Sequence, residues 1–262
     1  MPCATIQVPR SVAATVQPPS FKDRPEAPRL DLDPVTSLTP PSLPAAVLWD
    51  MDGTLVDTEP YWMAAEVELV TSFGGVWTHD DGLALVGQGL WTSAAILKSR
   101  GVDMEPDEIV SWLTDRVQHK LDDVGVAWRP GAKELLAELR ERGIPTALVT
   151  MSVRRMAEQI VKTIPFEAFD VIVSGDEVAE PKPHPEAYLT AARRLGVDPS
   201  ECVAIEDSVA GLASAVASGA TTIGVPHVIP LPETDEHTLW TTLSGRTVED
   251  LVELAMDRAE AL

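Results

Sequence analysis

The sequence predicts an α/β protein built on a doubly wound parallel sheet, with a small helical domain inserted after the first strand. Three observations carry this. Short apolar runs alternate with helix-patterned segments from residue 45 onward. Those runs are continuously apolar, as strands covered on both faces are. One longer helix-patterned block, 59–126, interrupts the alternation directly behind the first run.

Taken in order, residues 1–44 hold ten prolines, including "QPPS" and "TPPSLP", without sustained apolar periodicity, and are expected to form a disordered leader. "AAVLWD" (45–50) is the first strand. Residues 59–128 then supply the helices "EPYWMAAEVELVTSF", "WTSAAILKSRG" and "PDEIVSWLTDRVQHKL", read as an inserted cap. The main domain, residues 45–58 and 129–262, resumes with "RPGAKELLAELRERG", which has Pro130 near its start and Gly143 at its end. Strand "TALVT" (146–150), helix "VRRMAEQIVKT" and strand "DVIVS" (170–174) follow. Helix "PEAYLTAARRLG", strand "CVAIED" (202–207), helix "AGLASAVASG" and strand "TTIGV" (221–225) complete the alternation. A possible edge strand "TLWTTL" and the helix "TVEDLVELAMDRAEA" finish the domain.

Composition excludes several classes. The formal net charge is −21, and residues 1–44 carry four basic against four acidic side chains, so the whole excess belongs to the folded body. Such a body repels phosphate backbones and anionic lipid, which argues against nucleic-acid and membrane-surface partners. No run approaches the 18 apolar residues of a membrane span. Cys3 and Cys202 imply no disulfide framework. No secretory signal is evident, and a cytoplasmic location is the expectation. Nothing in the sequence indicates an oligomeric state.

In an open parallel sheet, ligands bind where the strands end. The first strand ends in Asp50, with Asp52 just beyond. The second ends in Thr150, followed by Met151 and Ser152. The third leads into "SGDEVAEPKPHP", with Lys182, and the fourth ends in Glu206 and Asp207. Hard oxygen ligands of this kind suit Mg²⁺ held by carboxylates, water and substrate phosphate, and a metal removes the repulsion among Asp50, Asp52 and Asp207. The set suits phosphoryl transfer. Asp50 is placed to attack phosphorus and Asp52 to move the proton, while Thr150 and Lys182 hold phosphate oxygens.

"WDMDGTLVDTEPYW", "LVTMS", "EPKPHPEAYL" and "AIEDSVAGLASAVASG" resemble, in order, the four motifs of the haloacid dehalogenase superfamily of phosphohydrolases. The helical insert between the first two is similar to that family's small cap. The resemblance implies Asp50 as nucleophile and Mg²⁺ ligand, and Asp52 as acid/base giving its backbone carbonyl to the metal. It implies Thr150, with Met151, and Lys182 as the phosphate-binding residues. Asp207 would complete the metal site, with Glu206 beside it.

Other residues are less determined. Thr54 either caps the following turn or helps orient Asp50, while Ser152 and Ser208 read as helix N-caps and His184 as an exposed loop residue. On a helix over 59–73, Glu59 and Glu66 fall inside the apolar arc with Trp62. They either face the cleft and hold sugar hydroxyls or pair with basic groups elsewhere. Gln88 and Trp91 are further cleft candidates, whereas Trp77, Trp112 and Trp128 read as packing residues. The motifs look nearest to β-phosphoglucomutase and 2-deoxyglucose-6-phosphate phosphatase-like members. A mutase of that kind carries a histidine where this chain has Trp62 and an arginine where it has "GQGL", so hydrolysis is the expectation. The expected partner is a small phosphorylated metabolite, sugar phosphates first. The alternatives are a sugar-phosphate mutase and a non-catalytic relative that binds a phosphometabolite or a protein partner.

Overall fold

The computed structural model describes residues 43–261, with side chains described to Met256. The expected leader lies outside the described residues, apart from its last two positions. Among the described residues, six strands form one all-parallel sheet in the order β3-β2-β1-β4-β5-β6. They are β1 (Ala46–Trp49), β2 (Thr146–Val149), β3 (Val171–Val173), β4 (Cys202–Glu206), β5 (Thr221–Gly224) and β6 (Thr238–Leu239). The expected edge strand "TLWTTL" is thus only two residues long, paired through Ile223–Thr238 and Gly224–Leu239. At a sheet edge, hydrogen bonds on one side only and half-buried side chains sustain no more.

The central strands alternate their side chains between two layers. Val47, Trp49, Leu148, Val203 and Ile205 pack with Leu135 and Leu139 of α5 (Ala132–Glu141), Ile160 of α6 (Arg154–Val161) and Leu251 of α9 (Val248–Ala261). Ala46, Leu48, Ala147 and Val149 face the other way, onto Tyr188 and Ala191 of α7 (Glu186–Leu195) and Ala215 of α8 (Val209–Ser218).

Between β1 and β2 the chain forms α1 (Glu59–Ser72), α2 (His79–Leu83), α3 (Leu90–Ser99) and α4 (Pro106–Val124). The five-residue α2 was not foreseen; it forms where Thr78 and Asp81 make a reciprocal capping box. The chain enters and leaves this insert side by side, through Asp57 N to Ala127 O at 2.7 Å and Arg129 N to Leu55 O at 3.1 Å. None of the described helices is long and apolar enough to cross a membrane.

Candidate active site

Because β1 and β4 are neighbours but not consecutive, the sheet's order reverses beside β1, and the loops leaving β1, β2 and β4 converge at that crevice. Asp50 continues β1 by one residue, its N–H donating to Ile205 O at 3.0 Å. Lys182, only 3% exposed, reaches in from the loop after β3. Its Nζ donates to Asp50 Oδ1 at 2.7 Å, Glu206 Oε1 at 2.7 Å and Val149 O at 2.9 Å. Burial alone would lower the pKa of this ammonium, but two carboxylates hold it above the ordinary lysine range. Tyr188 caps the arrangement, donating to Glu206 Oε1 at 2.6 Å beneath the lysine.

One lysine does not neutralise this cluster. Oxygens of Asp50, Glu206 and Asp207 all lie within 4.8 Å of one another. Asp50 Oδ2 and Asp207 Oδ2 are buried without a hydrogen-bond partner. Burial and then Glu206 push the Asp50 carboxyl up to about 7 against the pull of Lys182, and burial and Asp50 raise Asp207 well above its ordinary value. Three clustered carboxylates, two of them with an oxygen that makes no hydrogen bond, fit a hard divalent cation. Gly53 leaves the space for this, since a Cβ there would stand 1.9 Å from Asp207 Oδ2.

The Asp52 carboxylate is engaged elsewhere. Oδ1 accepts from Thr58 Oγ1 at 2.5 Å and Trp62 Nε1 at 3.1 Å; Oδ2 accepts from Ser152 Oγ at 2.7 Å and Thr150 Oγ1 at 3.3 Å. Its side chain therefore stands apart from the three-carboxylate cluster, bridging α1 and the loop after β2.

Several expectations change. Thr54 Oγ1 donates to Asp207 Oδ1 at 3.4 Å, so it orients Asp207 and not Asp50. Ser152 is no N-cap: Val153 takes that position for α6, and the serine hydroxyl reaches Asp52. Ser208 does cap α8, accepting from Gly211 N. His184 is exposed, as expected. Lys182 has all three protons engaged, two of them on carboxylates.

Asp50, Asp52, Glu59, Trp62, Gln88 and Lys182 are among the walls of one cavity of about 560 Å³ between the insert and the strand ends. Met151, Ser93 and Ser208 line it too. Glu59 is 8% exposed, and burial followed by repulsion from Asp52 pushes its carboxyl up to about 8. Among the described residues, neither Glu59 nor Glu66 forms an ion pair with a base, whereas Glu68 of the same helix pairs with Arg116 at 2.8 Å. Glu66 does not line this cavity; it accepts from Trp77 Nε1 at 3.1 Å inside the insert. Trp91 lines a neighbouring cavity instead, its indole N–H donating to Asp107 Oδ1 at 2.7 Å.

Sequence reasoning missed Thr58, Tyr188 and Ser93. Thr58 lies within the quoted first motif, so position offered a signal. Tyr188 likewise lies within the quoted third motif, "EPKPHPEAYL", whereas Ser93 sits in an ordinary helical pattern and offered none.

Residues 44–219 match the haloacid dehalogenase-like hydrolases. Hexitol phosphatase B of Escherichia coli is 32% identical over 192 residues, covering 72% of this chain and 84% of that protein. The bifunctional riboflavin kinase/FMN phosphatase of Arabidopsis thaliana is 33% identical over 187 residues, 70% of this chain; the match spans only 49% of that longer protein. CbbY of Rhodobacter sphaeroides, solved with phosphate, superimposes with a TM-score of 0.70 at 29% identity, covering 78% of this chain and 96% of that one.

Proposed function

The chain belongs to the haloacid dehalogenase-like hydrolases, and from that premise we propose that it is a Mg²⁺-dependent phosphatase of small organic phosphomonoesters, sugar phosphates foremost. The phosphatases among its relatives support this, hexitol phosphatase B in particular. The observation that carries it is Asp50 Oδ2, buried and without a partner in a cavity that also holds Lys182 and Asp207.

Asp50 and Asp207 are the side chains to hold Mg²⁺, with the Asp52 carbonyl as a third ligand. Bound there, the ion would neutralise the cluster and withdraw charge from the phosphoryl oxygens. Asp50 Oδ2 attacks phosphorus, forming an aspartyl-phosphate as the ester P–O bond breaks. Lys182 holds the other Asp50 oxygen and leaves this one without a hydrogen-bond partner. Thr150 and the Met151 backbone hold the phosphoryl oxygens. Asp52 gives its proton to the departing alkoxide, then takes one from the water that cleaves the aspartyl-phosphate and returns free phosphate. Glu59, in the wall of the cavity, is the group for a substrate hydroxyl. Helices α1–α4 act as the cap, excluding bulk water from the reacting atoms.

Hydrolysis is favoured over mutase chemistry, because Trp62 occupies the histidine position and its indole is bound to Asp52. The test is phosphate release from a panel of phosphomonoesters with Mg²⁺ or chelator, in wild type, Asp50→Asn and Asp52→Asn. Metal-dependent release lost in both variants supports the reading. Isomerised sugar phosphate without free phosphate would select the mutase, and a folded protein inert with every ester would remove the enzyme.

A further inference from the structure

The catalytic cavity has a neighbour. Leu90 and Met151 are walls of it and also of a second cavity of about 610 Å³, between the first turn of α3 and the loop after β3. Trp91, Val178, Ala179 and Pro181 are further apolar walls of it. Trp91 is 37% exposed, and its indole N–H is tied to Asp107, so the ring is held in place while one part stays open to a ligand. An apolar chamber that shares walls with a cavity lined by carboxylates, hydroxyls and a lysine fits the far end of the molecule whose phosphate is removed.

The charges lining both cavities restrict that molecule further. Among the described residues, Lys182 is the only cationic side chain in either wall, and its protons are engaged by Asp50, Glu206 and Val149. Glu59 faces the first cavity. Asp176, in the wall of the second, is occupied by the backbone N–H of Arg154 at 3.0 Å. A second phosphate or a carboxylate on the substrate would meet no counter-charge here. It would also enter against acidic neighbours and a net charge of −21.

We infer that the substrate is the monophosphate of an uncharged alcohol with an apolar or aromatic portion, which lies in the second cavity against Trp91. This rests on the phosphatase reading and, within its small organic phosphomonoesters, moves the preference from plain sugar phosphates to esters with an apolar portion. Trp91 is a specificity residue, without a part in the bond-breaking step.

The experiment compares 2-phenylethyl phosphate with ethyl phosphate, two alkyl esters that differ mainly in the ring, in wild type, Trp91→Ala and Trp91→Phe. In wild type, kcat/KM for the aromatic ester exceeds that for ethyl phosphate by about tenfold or more, through KM, since ring burial is uniform binding. Trp91→Ala loses most of that advantage and leaves ethyl phosphate within about twofold, while Trp91→Phe keeps it. A hexose bisphosphate is a poorer substrate than the matching monophosphate. An equal advantage in wild type and Trp91→Ala, or a preference for the bisphosphate, would overturn the proposal. Absence of phosphate release from every ester would instead strike the phosphatase reading. Calorimetric binding of the same two esters to Asp50→Asn then decides the cavity separately, equal affinities overturning its assignment.

Discussion

Trp62 Nε1 donates to Asp52 Oδ1 at 3.1 Å, joining the first helix of the insert to the proposed acid/base at the end of β1. Thr58, from the turn that opens the same helix, binds the same oxygen, while Ser152 and Thr150 hold the other from the loop after β2. Asp52 is thus gripped from both sides of the cleft. A movement of α1 relative to the sheet would act directly on this proposed acid/base.

Replacing Trp62 by Phe keeps the ring and removes one donor to a carboxylate. A hydrogen bond to a charged group contributes about 1.5–3 kcal/mol, so kcat should fall by roughly 10- to 100-fold with little change in KM. Steady-state kinetics on any accepted ester checks this. A change confined to KM would mean that Trp62 touches substrate and does not position Asp52.

Lys182 separates two buried carboxylates, Asp50 and Glu206. Lys182→Met leaves both without their cation, which for a buried network costs about 3–5 kcal/mol. Urea unfolding of the metal-free protein should show that loss. Restoration of part of it by millimolar Mg²⁺ would locate the ion beside the same carboxylates.

Gly53 stands at φ +86 with no room for a Cβ beside Asp207. Gly53→Ala is strained in the backbone and displaces the carboxylate, so Mg²⁺ affinity should drop by about tenfold or more, in line with a strain of about 1–3 kcal/mol. Isothermal calorimetry with Mg²⁺ alone measures it, and unchanged affinity would remove Asp207 from the metal site.

Glu66 gives a pH-dependent stability. Its carboxyl is buried and pushed from 4.5 up to about 7, chiefly by burial and partly opposed by the Trp77 hydrogen bond. Below about pH 4.5 the group is neutral folded and unfolded alike and costs nothing. As pH rises to about 7, the unfolded chain ionises first and stability falls; above that the cost is complete. Glu66→Gln, which still accepts from Trp77, should therefore stabilise the protein at pH 8.5 by up to about 3 kcal/mol and change little at pH 4. Thermal unfolding at the two pH values tests the sign.

The motif residues were legible because each sits next to an apolar strand, where adjacency in sequence is adjacency at a strand end. Asp50, Asp52, Thr150, Lys182, Glu206 and Asp207 could be gathered into one crevice before any coordinates, from alternation and the rule about strand ends. The insert read less well. Helical periodicity put Glu59, Trp62 and Glu66 on one arc, yet the first two reach the cavity and the third turns to Trp77. A helix face says that a side chain is buried, not what it is buried against.

The sequence by itself determined the sheet, the place of the insert and which charged residues share a crevice, because those follow from local periodicity and a general rule of parallel sheets. Tertiary structure decided orientation: that Ser152 serves Asp52 across 100 residues, that Thr54 serves Asp207 across 153, and that Trp91 faces a different chamber. Such pairings depend on distances of a few ångströms between segments remote in the chain, and hydrogen-bond directions at that range leave no periodic trace in the order of residues.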